Sequence, residues 1–103
     1  MYRPFTPDSQ ELNQLMKQAL AAEHDSLVSS IPVQTGWTNI TMDVQGEQRD
    51  YIFRFPRTLF FAEQMIKDCM VCRFLQDKIS LPIPKMQLRI DKGRPFSMHP
   101  KIK

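Results

Sequence analysis

Tyr51-Ile52-Phe53-Arg54-Phe55-Pro56-Arg57 sets one arginine among large apolar side chains and stops at a proline. Extended backbone sends successive side chains to opposite faces, so a strand here puts the rings of Tyr51, Phe53 and Phe55 on one face and Ile52 with Arg54 on the other. Burying an unpaired guanidinium costs roughly several kcal/mol, so Arg54 has to reach water, a carboxylate or an anionic ligand. The face that carries it is read as the ligand-facing one.

The flanking sequence supplies the rest of a sheet. Before the stretch, Ile40, Met42 and Val44 alternate with Thr41, Asp43 and Gln45 as a second strand, and Gly46-Glu47 marks the reversal into the third. Gly36-Trp37-Thr38 makes the preceding turn. Leu27 to Thr35 reads as the first strand, with Pro32 suited to an edge position or a bulge. Three strands joined by short turns predict an antiparallel meander.

Two helices frame it. Thr6-Pro7 or Asp8 with Glu11 offers helix-start chemistry, and Leu12, Leu15, Met16, Ala19, Leu20 and Ala22 then keep the spacing of one buried stripe to about His24. From Thr58 to about Ile79 there is neither glycine nor proline, which predicts a long helix with Phe61, Met65, Cys72, Leu75 and Ile79 on one face. Asp68 completes that series. A carboxylate inside an apolar stripe and an arginine inside a strand answer each other if the helix packs across the face of Ile52 and Arg54. From spacing alone, a structural ion pair and a functional one stand about even.

Ser80-Leu81-Pro82-Ile83-Pro84 is an extended connector, because each proline disfavours helix in the residue before it. Met86, Leu88 and Ile90 alternate as a fourth strand, Asp91-Lys92-Gly93-Arg94 turns, and Pro95 to His99 forms a fifth. The expected class is α+β, a five-stranded antiparallel sheet with an N-terminal helix and one long helix packed on it.

With 103 residues, 42% of them hydrophobic, the chain has the size of one globular domain. No stretch has the roughly 18 apolar residues of a membrane helix, and the N-terminus has no signal core, so a cytoplasmic setting without membrane contact is expected. Two cysteines are too few for a disulfide framework. The net charge of +3 is uneven: residues 1–84 hold eight Lys/Arg against ten Asp/Glu, and residues 85–103 hold six against Asp91 alone. Because the tail charges interleave with Met86, Leu88, Ile90, Phe96 and Met98, they read as the wet face of a hairpin and not as a nucleic-acid surface.

Gly36-Trp37-Thr38-Asn39, Tyr51 to Arg57 and Leu81-Pro82-Ile83-Pro84, in this order and spacing, resemble the amino-terminal lobe of the aminoglycoside phosphotransferase and choline kinase superfamily, in particular its aminoglycoside and macrolide kinase branch. The resemblance covers roughly residues 27–103, leaving 1–26 as an N-terminal helical extension. It implies a nucleotide-binding half-site for ATP or GTP with Mg2+, in which Arg54 meets the phosphates and Asp68 holds Arg54, aspartate standing where the family has glutamate. It further implies that Ile52 forms part of the ceiling over the base, that Thr35, Gly36, Trp37, Thr38 and Asn39 lie above the phosphates, and that Phe96 to Lys103 form the fifth strand and the start of the hinge whose backbone meets the purine edge, with Met98 and His99 as nucleotide-binding residues there. The catalytic base and metal-binding side chains of such enzymes follow the hinge; this chain has no His-x-Asp element.

The expected function is therefore the nucleotide-binding lobe of a small-molecule phosphotransferase that moves a gamma-phosphate to a substrate hydroxyl. The lobe alone, without its C-terminal catalytic lobe, is expected to be inactive. The alternative is a free-standing interaction module, for which the exposed cleft surface predicts self-association. Three other motifs have plainer readings. Asp91-Lys92-Gly93 is a hairpin turn and not a metal site, Cys69-Met70-Val71-Cys72 is core packing within a helix, and His24-Asp25 is a helix end.

Overall fold

The computed structural model describes residues 9–33, 39–78 and 87–101. Helix α1 (Ser9–Ala22) leads into strands β1 (Leu27–Val33), β2 (Asn39–Gly46) and β3 (Asp50–Pro56). Helix α2 (Leu59–Lys78) and strands β4 (Gln87–Asp91) and β5 (Arg94–Pro100) follow. The strands form one antiparallel sheet in the order β1-β2-β3-β5-β4. The expected class is what the chain adopts. Its N-terminal helix start at Thr6 to Asp8, its Gly36-Trp37-Thr38 turn and its Pro-x-Pro connector lie outside the described residues.

The alternation of β3 decides which helix covers which face. Tyr51, Phe53 and Phe55 point to one side, where Val44, Phe96 and Met98 join them and Leu12, Leu15, Met16, Ala19 and Leu20 of α1 close over them. Phe55 and Phe96 stack with ring centroids 5.1 Å apart, and Phe53 lies 6.1 Å from Phe55. Each ring removed from water contributes about 1.5–3 kcal/mol, so these aromatics dominate the core. Ala22, placed on the α1 stripe by spacing, is exposed because the helix ends there.

The end of α1 has a specific geometry. His24 adopts a left-handed φ of 58°, the His24 N–H donates to Ala21 O at 3.0 Å and the Asp25 N–H to Leu20 O at 2.9 Å. These are the two reversed bonds of a Schellman cap, with histidine where glycine is usual. Asp25 then reaches across to the β2–β3 turn. Its Oδ1 accepts from Ser26 N–H at 2.7 Å and Gln48 N–H at 2.9 Å, and its Oδ2 accepts from Arg49 N–H at 3.1 Å and the Tyr51 hydroxyl at 3.3 Å. Burial alone raises such a carboxyl's pKa, but here the three backbone donors and the hydroxyl outweigh it and hold Asp25 below its ordinary value.

α1 is also pinned at both ends by the tail. Arg94 pairs with Glu11 near the helix start, and Arg89 lies 3.4 Å from Glu23 at the end. Arg94 further holds Asp91 at 2.9 Å, and Lys101 holds Asp43 at 2.9 Å. Three of the tail's cations thus face carboxylates of the same fold. Between β4 and β5, Lys92 and Gly93 take φ values of 51° and 78°. Two successive left-handed residues make the tight type I′ reversal that suits a twisted hairpin, so the Asp-Lys-Gly motif is a turn.

β1 is the outer strand, which accommodates Pro32 with no ladder partner missing on its far side, and its register shifts between Leu27 and Ser29. α2 starts at a Thr58 cap, whose Oγ1 accepts from Phe61 N–H at 3.2 Å. It runs against β5, β3 and β4. Among its described side chains the buried ones are Ala62, Met65 and Cys69, none of them part of the cluster beneath α1. The buried stripe is therefore rotated from the expected one. Phe61 is half-buried, Asp68 is exposed and Cys69 takes the interior position, while the side chains of Cys72 and Leu75 are outside the described set. α2 is apolar on several sides, so its periodicity alone left the packed face underdetermined.

Candidate functional site

The sheet face turned away from α1 is built by register. Cross-strand partners share a face, so Thr41 of β2, Arg54 of β3 and Ser97 of β5 form one row, and Asp43, Ile52 and His99 form the next. On the outer strand, Val33 stands opposite Thr41 and Ile31 opposite Asp43. Arg54 is exposed in the middle of this surface, on the central strand of the sheet.

The electrostatics of the face are those of a cation without a fixed counter-charge. The four ion pairs among the described residues are Arg89–Glu23, Arg94–Glu11, Arg94–Asp91 and Lys101–Asp43, and none includes Arg54. Beside it, Ser97 is fully buried and its Oγ has no hydrogen-bond partner. The Nδ1 of His99 is buried and likewise unpartnered. Burial first, and the Arg54 charge second, lower the pKa of His99 below its ordinary value, so the imidazole is held neutral. An exposed guanidinium beside the half-buried Thr41 and His99 offers planar donors to an anion, with the Thr41 hydroxyl in the same row to add a further bond, while the Ser97 hydroxyl is sealed from solvent.

The expected site residues divide accordingly. Arg54, Ile52 and His99 come together on one face. Met98 does not join them: one position along β5, its side chain points into the core beneath α1, and its Sδ accepts from Arg89 Nε at 3.3 Å. Met98 is also paired on both sides, with Phe53 and with Gln87, as a residue of the expected fifth strand. Asp68 and Arg54 are not joined either. Asp68 is exposed on α2, and its Oδ1 accepts from Gln64 Nε2 at 3.2 Å. Thr35, Gly36, Trp37 and Thr38 lie outside the described residues, as does the side chain of Asn39.

Thr41 and Ser97 were missed from the sequence because they lie 13 residues before and 43 after Arg54, and only the strand register brings them beside it. Among the described residues, no group of three or more His, Cys, Asp or Glu side chains could hold a metal ion, and no helix is long and apolar enough to cross a membrane. A cleft of about 520 Å³ opens on the opposite side of the sheet, between α1 and strands β1 and β2, where Leu12, Met16, Ile40 and Met42 line it. It shares no residue with the Arg54 face.

Two solved structures have the same architecture. One is a point mutant of aminoglycoside 2'-phosphotransferase-IIIa in complex with GDP, with a TM-score of 0.70 and 18% identity over 93% of this chain. The other is the GDP complex of the wild-type enzyme, with a TM-score of 0.66 and 20% identity over 92% of this chain. The fold is that of a kinase-like small lobe. The chain spans 31% of the length of each of those enzymes. No family model matches the sequence, and no curated protein matches it.

Proposed function

We propose that this chain is the nucleotide-binding lobe of a small-molecule phosphotransferase, and that it holds the phosphates of a nucleoside triphosphate against the face of Arg54. The observation that carries the reading is the exposed, unpaired guanidinium at the centre of the sheet, in a fold shared with two GDP-bound aminoglycoside phosphotransferase structures. Arg54 binds and orients the phosphates, Thr41 lies within the same cross-strand row to assist, and Ile52 with the outer-strand Val33 and Ile31 offers an apolar surface for the base. The loop from Thr35 to Asn39 is proposed to lie above the phosphates, and His99 to meet the nucleotide from β5. Asp68 is left out, since its carboxylate is engaged by Gln64 and not by Arg54.

The residues fit a phosphate but not a metal ion, because the described carboxylates of this face, Asp43 foremost, are dispersed or already paired with lysine. Transfer to a hydroxyl of an aminoglycoside-like acceptor needs a base and magnesium ligands, and in the proposed enzyme a second lobe brings them. The test is titration of the chain with a fluorescent GDP or ATP analogue. Losing charge-assisted bonds of about 1.5–3 kcal/mol, Arg54→Ala should weaken binding by about 10- to 100-fold while leaving the melting temperature within a few degrees. Unchanged nucleotide affinity in a folded Arg54→Ala protein would refute the site.

A further inference from the structure

The nucleotide reading makes no use of the outward face of α2, and that face is unlike an ordinary solvated helix surface. Phe60, Met70, Val71 and Phe74 are 67%, 66%, 55% and 61% exposed; Phe60, Val71 and Phe74 lie opposite the buried Ala62, Met65 and Cys69, and Met70 lies on the flank between. Spacings of three, four and seven place Phe60, Lys67 and Phe74 at one repeating position of a heptad and Glu63 and Met70 at the other. Glu63 and Lys67 are exposed, and none of the ion pairs among the described residues uses either. A strip of this kind, apolar at both ends with an unpaired acid and base between, is complementary to its own reverse.

We infer that α2 is a self-association surface on which two copies of this chain pack antiparallel about a two-fold axis. In an antiparallel pair the two repeating positions face each other across the axis. Phe60 then meets Met70 of the partner subunit, and Lys67 meets Glu63 of the partner subunit, each contact occurring twice. A parallel pair in register sets Lys67 against Lys67 and Glu63 against Glu63, so the charges select the antiparallel arrangement. Val71 extends the apolar surface beside them. With one aromatic ring, a methionine and a valine from each copy, the helix pair buries on the order of 300 Å² per copy. That is less than half of the roughly 800 Å² per partner of a standard interface, which makes this a weak dimer with a dissociation constant on the order of 100 μM. The inference is independent of the Arg54 site, and failure of either leaves the other standing.

Sedimentation velocity of the chain between about 5 and 500 μM tests it. The expected result is a mass rising with concentration from the 12.1 kDa monomer toward twice that value. Lys67→Glu or Glu63→Lys alone should weaken association by about 10-fold or more, and the double variant Glu63→Lys/Lys67→Glu should restore it to within about 3-fold. Phe60→Ser should also weaken it, with circular dichroism confirming an unchanged helix content. A monomer at every concentration overturns the inference. So does association indifferent to the single charge reversals, or a double variant that is not rescued, since either result means unspecific contact between apolar patches.

Discussion

Replacing Gly46 by alanine tests the junction that orders the lobe. Gly46 ends β2 where the β2–β3 turn closes against Asp25, and its N–H donates to Arg49 O at 2.8 Å. A Cβ at this position stands 2.7 Å from Arg49 O, 2.7 Å from Asp25 Oδ2 and 2.9 Å from Asp25 Cγ. Neither neighbour moves freely: the first is backbone within the same turn, and the second is fixed by four donors. Overpacking against rigid groups costs about 1–3 kcal/mol, and two such contacts place this site near the upper end. Because Gly46 does not have a left-handed φ, alanine is otherwise allowed and recovers about 0.4–1 kcal/mol from the unfolded chain. The net loss is about 2 kcal/mol, which in a domain of this size lowers the melting temperature by about 8–16 °C.

Thermal unfolding followed by circular dichroism at neutral pH measures that loss. The cause is isolated by repeating Gly46→Ala in an Asp25→Ala background, where two of the three close contacts no longer exist. There the glycine substitution should cost about half as much, a coupling of about 1 kcal/mol. A Gly46→Ala protein melting within about 2 °C of the original, or strictly additive single and double variants, would refute the reasoning.

Other outcomes follow from the same geometry. His99 has a folded pKa below its ordinary value of 6.5, so the unfolded chain takes up its proton first as pH falls. Stability should therefore drop below pH 6.5, and His99→Gln should flatten that slope in urea titrations across the acid range. An anionic nucleotide beside Arg54 offsets the arginine's field, so the NMR-titrated pKa of His99 should rise when GDP is added; no movement would place the phosphates elsewhere. Asp25, also held below its ordinary value, contributes stability that persists above that value and is lost as pH falls through the folded one. Asp25→Asn should thus destabilise at neutral pH and differ progressively less from the original in strong acid. Thr58→Ala removes the α2 cap and should cost about 1 kcal/mol in thermal or urea unfolding, with the Arg54 face still binding nucleotide.

Alternation and turn chemistry made most of the architecture legible. The rings at 51, 53 and 55, the Asp-Lys-Gly reversal and the stripe of α1 each follow from a period of two or of 3.6 that local sterics impose, and each occurs where the spacing places it. α2 shows where such reasoning ends. A helix with apolar residues on several sides carries no single preferred face, so the sheet chose Ala62, Met65 and Cys69, and Asp68 was turned toward solvent. Met98 differs for a related reason: one residue along a strand reverses the side, and position in a resemblance does not state the register.

By itself, the sequence determined the class of fold, the order of its strands along the chain, and that Arg54 stands on the face opposite the core rings. These are local properties, written in the alternation of neighbouring side chains. Tertiary structure decided which distant groups keep that arginine company. It brought Thr41 and Ser97 beside Arg54, paired the tail's cations with carboxylates of α1 and the sheet, and closed the buried Asp25 onto a turn more than twenty residues away. The physical reason is that strand register and helix rotation are set by the packing of whole faces, and no single stretch contains both sides of that contact.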